Sequence, residues 1–264
     1  MPVAARAGLG QSERVKSLIL AACVLIGCSS SPLEPASAGG APSAGTAGTA
    51  GSAGASGSGT PFVNGCSAAR AQLLGAVATV SAGRVELVSE RDGVKTLYVD
   101  ATAGGQNGVT THPWTFIALG DGTKAAVDDV TSLESTGWDL AFKRALIYSN
   151  GGEGGPGDGA AAFLDKDFAQ VTSADLIGVD FISEKFFDDD CNPFIDITGA
   201  AATSFSTWYD YDSASHVLSP VPGTWLVRGA TGSYFKLRFE SYYATPSGGM
   251  GSTAGAYLLQ IGAL

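Results

Sequence analysis

Few side chains in this sequence can do chemistry on their own. It holds two histidines, His112 in Thr111-His112-Pro113-Trp114 and His216 in Ser215-His216-Val217-Leu218, so acid–base catalysis by imidazole has little material. No Gly-x-Ser-x-Gly elbow, His-Glu-x-x-His pair or Gly-Lys-Ser/Thr phosphate loop is present. The chain is read as a binding protein and not an enzyme; a pair of glycosidase carboxylates stays open, because such partners lie far apart in sequence. The acidic cluster Asp188, Asp189, Asp190 with Asp196 has the oxygen chemistry of a calcium site. Its spacing does not follow an EF-hand, and a solvated acidic turn is the plainer reading. Trp208, Tyr209, Tyr211, Trp225, Tyr234, Tyr242 and Tyr243 offer a stacking surface for a planar or sugar ring. Core packing accounts for most of them, since alternate strand residues face opposite ways.

The elements that would position these groups are mainly strands. Ala, Leu and Gln at helical spacing after Ser67, a suitable N-cap, predict one short helix over Ser67 to Val80. Strands are expected over 84–89, 95–101, 114–119, 138–148, 160–164, 208–211, 225–228, 234–243 and 256–261, divided by turn signals such as Arg91-Asp92-Gly93 and Thr231-Gly232-Ser233. In the 138–148 strand, Trp138, Leu140 and Phe142 alternate with Asp139, Ala141 and Lys143, the pattern of a half-buried strand. Six glycines and Pro156 follow between Ser149 and Gly159, making a loop shaped by its backbone. Many short strands with glycine-rich turns predict an all-β, mainly antiparallel sandwich or open barrel.

The Trp138-Asp139-x-x-Phe142 strand running into Asn150-Gly151-Gly152 resembles the HmuY family, β-rich secreted or surface lipoproteins whose best-known members bind haem. Trp208-Tyr209-Asp210-Tyr211, Thr224-Trp225-Leu226-Val227-Arg228-Gly229 and the Gly232 to Phe239 segment leading into Tyr242-Tyr243 continue the likeness toward the C-terminus. The resemblance implies a β fold and haem as the first ligand to consider, captured for transfer to an outer-membrane uptake receptor. It places one axial ligand in the connection after the Trp208 strand, where His216 lies, and another between about Ser183 and Ser206. That second segment has no His and no Met. His112 and Met250 are the other groups whose imidazole and thioether suit haem iron, although neither falls at a family ligand position. The rival is a module of the same fold that recognises another small molecule, a sugar or a protein, with calcium-dependent sugar binding as its weaker form.

Arg6, Arg14 and Lys16 precede an apolar run from Leu18 to Ile26, the layout of an export signal. The run is shorter than the roughly 20 residues of a membrane-spanning helix. Cys23 and Cys28 both end lipobox-like tetrapeptides; cleavage before Cys23 leaves an h-region below the usual minimum of about 7 residues, so Cys28 is the expected lipid (palmitate) site and membrane anchor. Ser29 after it favours the outer membrane in bacterial lipoprotein sorting. Residues 1–27 are thus read as a signal peptide, 28–60 as a lipidated cysteine and Ser/Gly/Ala-rich tether, and 61–264 as one β domain. Cys66 and Cys191 then remain, an even pair expected to form a disulfide in an oxidising compartment. A net charge of -10 argues against nucleic-acid partners, which need basic stripes.

Overall fold

The computed structural model describes residues 65–264. The expected signal peptide, Cys28 and the tether lie outside the described residues, as do Pro61 to Asn64. One helix, α1 (Ser67–Leu73), is followed by twelve strands: β1 (Val85–Arg91), β2 (Val94–Asp100), β3 (Thr115–Ala118), β4 (Thr123–Lys124), β5 (Leu140–Lys143), β6 (Leu146–Ser149), β7 (Ala160–Leu164), β8 (Tyr209–Asp212), β9 (Val217–Pro220), β10 (Thr224–Arg228), β11 (Tyr234–Ser241) and β12 (Ala256–Ala263). All ladders are antiparallel. A six-stranded sheet runs β1-β2-β12-β11-β10-β7, a four-stranded sheet runs β4-β3-β5-β6, and β8 pairs with β9 alone.

Strict alternation in β11 turns Phe235, Leu237 and Phe239 inward, where they meet Leu97, Val99, Tyr257 and Leu259 of the same sheet and Ile117, Leu140 and Phe142 of the four-stranded one. Their burial is the main favourable term holding the sheets together, about 1.5–3 kcal/mol for each large apolar side chain removed from water. The opposite face of the four-stranded sheet is covered too. Trp114, Phe116, Trp138, Ala141 and Tyr148 pack there against Leu74 behind α1 and against Phe186 and Phe187. The molecule therefore has two cores on either side of one thin sheet, and Cys66 is bonded to Cys191 across the second of them.

Three expectations need correction. The 138–148 segment is a hairpin and not one strand, because the chain reverses at Arg144 (φ +53) and Lys143 pairs with Leu146. It is also buried on both faces: Lys143, read as an outward residue, is 1% exposed, its ammonium donating to the carbonyl oxygens of Gly75 at 2.8 Å and Leu74 at 3.4 Å and lying 5.5 Å from the Trp114 ring centre. The helix stops at Leu73, well before Val80, because Gly75 takes a left-handed conformation (φ +55), and the Lys143 ammonium and the Trp114 indole N–H take the carbonyls freed at its end. That is the usual logic of a helix C-terminus, with a glycine to leave and cations for the last oxygens. The short strands β4 and β9 were not expected; β9 ends in Pro220, tolerable because it pairs only with β8.

Candidate functional site

The segment most distinctive in sequence builds a scaffold. Trp138 lies fully buried with its indole N–H on the Ser132 carbonyl. Asp139 accepts from the N–H of Leu119 with one oxygen and of Ala230 with the other, pinning the four-stranded sheet to the β10–β11 hairpin. Asn150 donates to the Ser135 and Trp138 carbonyls and accepts from Gly157 N–H, so the loop folds over its side chain. Gly155 is required there, since a Cβ would lie 2.2 Å from Asn150 Oδ1. Arg70 of α1 reaches the Glu153 and Gly154 carbonyls, and the Glu153 carboxylate accepts the N–H groups of Phe186 and Phe187. Glu184, 3% exposed, accepts from the N–H and hydroxyl of both Ser149 and Ser204. Its burial pushes the carboxyl up while these donors pull it down. A buried block so fully hydrogen-bonded fixes the walls around it.

Those walls enclose a cleft of about 540 Å³ lined by Arg144 and Ala145 of the β5–β6 turn, Asp196 to Thr198, Tyr209, Tyr211, His216 and Leu218 of the β8–β9 hairpin, and Tyr242, Tyr243 and Ala254, a size within the usual range for a small-molecule site. Trp208 is buried behind the lining; the indole N–H donates to Ala145 O at 2.8 Å, and its rings lie 4.9 Å from Tyr209 and 5.5 Å from Tyr242. The Tyr243 hydroxyl accepts Leu218 N–H at 3.0 Å, tying the hairpin to the chain beyond β11. Burial raises the Tyr242 phenol to about 12 despite the nearby Arg144 cation. The Arg144 guanidinium donates to Ala254 O at 2.9 Å, and among the described residues no carboxylate pairs with it. At the rim the Tyr211 hydroxyl sits 2.6 Å from His216 Nδ1. His216 has φ +58, a left-handed conformation that turns the ring back across the hairpin.

Of the three candidate haem ligands singled out in the sequence, His216 lines this cleft and His112 and Met250 do not. His112 lies in a separate pocket of about 390 Å³ with Ser81, Asp100, Thr102 and Thr115, its Nδ1 at 3.0 Å from Gly108 O and its ring filling the space beside Gly104. Met250 is 78% exposed in the turn after Ala244 and outside the cleft lining. Cys191 is held in its disulfide. Asp188 and Asp196 sit in two different turns, each carboxylate accepting backbone N–H groups of its own turn, and among the described residues no group of three or more His, Cys, Asp or Glu side chains is placed to hold a metal ion. The aromatic set divides: Tyr209, Tyr211, Tyr242 and Tyr243 face the cleft, whereas Trp225 packs on Phe163 and Phe205 and Tyr234 on Phe181. Arg144 was not anticipated; its signal, two adjacent cations ending an apolar strand, is also what a continuing strand shows.

The architecture is an all-β sandwich with a tyrosine-lined cleft beside an isolated hairpin. The HmuY protein family matches residues 110–254, more than half of the chain, and the chain belongs to that family. Among solved structures, a Bacteroides vulgatus protein described as HmuY-like and haem-binding is 19% identical, with 67% of this chain and 96% of that one covered and a TM-score of 0.41. An apo HmuY analogue from Tannerella forsythia is 15% identical over 69% and 96%, TM-score 0.43, and a Bacteroides fragilis protein described as a lipoprotein is 17% identical over 67% and 93%, TM-score 0.42. Similarity at that level carries neither ligand nor mechanism from one chain to another. A comparison with curated protein sequences finds no match.

Proposed function

We propose that this protein captures haem in the Arg144–Tyr211–His216 cleft and hands it to an uptake receptor, without transforming it. Membership of the HmuY family supports the ligand class. The observation that carries the reading is that an unpaired guanidinium, an imidazole and four tyrosines share one cleft, which matches a planar ring bearing carboxylates and a metal. Tyrosine faces cover the ring, Arg144 meets a carboxylate, and the Tyr211–His216 pair meets the iron. Titrating haemin into the protein tests this. A saturable Soret shift, weakened in Arg144→Ala and in His216→Ala, is expected; an unchanged spectrum in the wild type would remove haem from the account.

The rival reading, the same cleft holding another aromatic carboxylate, rests on a specific observation. Beyond the hairpin the lining adds Asp196, Ile197 and Thr198, with no imidazole or thioether for a second axial bond. Competition of haemin against metal-free protoporphyrin separates the two, since equal affinities would favour the rival. On the envelope side, the reading is a lipoprotein with its lipid on Cys28 and a tether to Thr60 that lifts the domain from the outer membrane. Labelled palmitate entering the wild type and equally entering Cys28→Ala would overturn the lipid assignment.

A further inference from the structure

We propose that the atom holding the iron is the Tyr211 phenol oxygen, with His216 as the proton acceptor that makes it a ligand. This rests on the haem reading above and assigns roles within it. Of the phenols lining the cleft, Tyr211 is the one hydrogen-bonded to an imidazole, that of His216. Asp196 Oδ1 already accepts from Thr198 N, Thr198 Oγ1 and Ala200 N, and Tyr243 is engaged by Leu218. Tyr211 and His216 have only each other, at 2.6 Å, and both are exposed. Were Nδ1 of His216 to bind iron, this hydrogen bond would have to break. Were Nε2 to bind, Tyr211 would serve only to orient the ring. With Tyr211 as ligand neither group moves, because the 2.6 Å contact is itself the path from the phenol oxygen to Nδ1.

Charge argues the same way. Ferric haem brings a porphyrin core with one net positive charge, and the cleft lining holds one imidazole, His216, and no thioether. A phenolate neutralises that charge, and tyrosine is an established axial ligand of haem iron; neutral imidazole leaves the charge in place. The positive charge then rests on His216, which shares the cleft with Asp210 and Asp196. The left-handed backbone of His216 is held by its turn, where Asp212 accepts from Ala214 N–H and the Ser215 hydroxyl. The binding step balances: the bond from iron to its axial water breaks, the bond from iron to Tyr211 Oη forms, and the phenol proton passes to His216 Nδ1. Iron stays ferric and no electron moves. An anionic oxygen donor favours ferric over ferrous iron, so the cleft discriminates between the two oxidation states.

The test is haemin binding by the full protein as wild type, Tyr211→Phe and His216→Ala, read by absorbance, electron paramagnetic resonance and resonance Raman. The wild type should give a high-spin ferric complex with a phenolate-to-iron charge-transfer band. Tyr211→Phe should abolish the band and weaken binding by about 100-fold or more, since loss of a ligand exceeds the 10- to 100-fold lost with a ligand's hydrogen-bonding partner. His216→Ala should keep the band and weaken binding by about 10-fold. Reduction with dithionite should release haem from the wild type. A spectrum that survives Tyr211→Phe and vanishes in His216→Ala would make His216 the ligand and overturn this assignment while leaving haem binding intact. No saturable change in the wild type would instead sink the haem reading itself. Both side chains are exposed, so unchanged melting temperatures will show that the variants fold.

Discussion

The glycine block and the cleft rim sit at opposite ends of the same hairpin. β6 runs into Ser149 and Asn150 of the block, while the β5–β6 turn carries Arg144 into the cleft, about 16 Å away at the rise of an extended strand. In the block, polar groups are buried and paired: Asn150 and Ser149 are 0% exposed and Glu184 is 3%, and each is hydrogen-bonded. At the rim, Tyr211 and His216 are exposed, Arg144 keeps free donors, and the backbone of His216 is strained. The block also anchors the other wall, because the chain leaves Glu184, forms the Asp196–Thr198 turn and returns to Ser204. The difference separates what makes the family recognisable from what the proposed binding site would use. One end is fixed so that the other can stay open.

The largest way to break the comparison is to cut the scaffold. Replacing both Cys66 and Cys191 with Ser opens a loop of 125 residues, which by loop entropy costs about 4–5 kcal/mol. Urea unfolding should show that loss while haemin affinity stays within about two-fold, because the bond lies in the second core and away from the cleft. A large fall in affinity would mean the two ends are not separable. Next, Glu184→Ala leaves the buried N–H groups of Ser149 and Ser204 without acceptors and should cost about 3 kcal/mol. Since both walls leave from that carboxylate, this variant should lose haemin affinity as well as stability, unlike the cysteine pair.

A titration sharpens the contrast further. Asp129, 3% exposed, accepts the N–H groups of Val77 and Trp114, yet burial raises its carboxyl to about 6, with the Lys143 ammonium pulling it down. Between about pH 6 and the ordinary value of 3.8, the native form holds a proton that the unfolded chain has released. Stability therefore rises as pH falls from 7 toward 4, by on the order of 2 kcal/mol from this group, and Glu184 is shifted the same way. Below that window Asp128, Asp188 and Asp212, held down by hydrogen bonds to their charged forms, lose their contribution on protonation. Urea midpoints should peak near pH 4–5, and Asp129→Asn should flatten most of the slope between pH 7 and 5; an unchanged slope would exclude Asp129 as its source.

Much of the block was legible in the sequence and little of the cleft was. Glycines at close approaches, the Trp138-Asp139 pair and the alternation of β11 are each imposed by local geometry, so they leave local marks. Cys66 and Cys191 were legible by counting. Lys143 was misread because charge predicts exposure, whereas here helix-end carbonyls and an indole face satisfy the ammonium. The reversal at Arg144 carries no glycine or proline to announce it. The cleft draws Arg144, Asp196, Tyr211, Tyr242 and Ala254 from five separate stretches, and no window of sequence sees them together. His216 was found through the family resemblance; its bond to Tyr211 depends on the hairpin turn that only the fold supplies.

The smallest expected effect on stability bears most on function. His216→Asn keeps a residue type tolerant of φ +58 and removes an exposed ring whose one hydrogen bond is to Tyr211. The bond lost and the strain relieved are each about 0.5–1 kcal/mol, so thermal unfolding should change by no more than about 0.5 kcal/mol net. Haemin affinity should nevertheless fall about 10-fold. A variant neutral for folding and costly for binding is what a rim residue held in a strained conformation by its turn must give. If His216→Asn instead destabilised the fold as Glu184→Ala does, the rim would be part of the scaffold, and the division between a fixed end and an open end would fail.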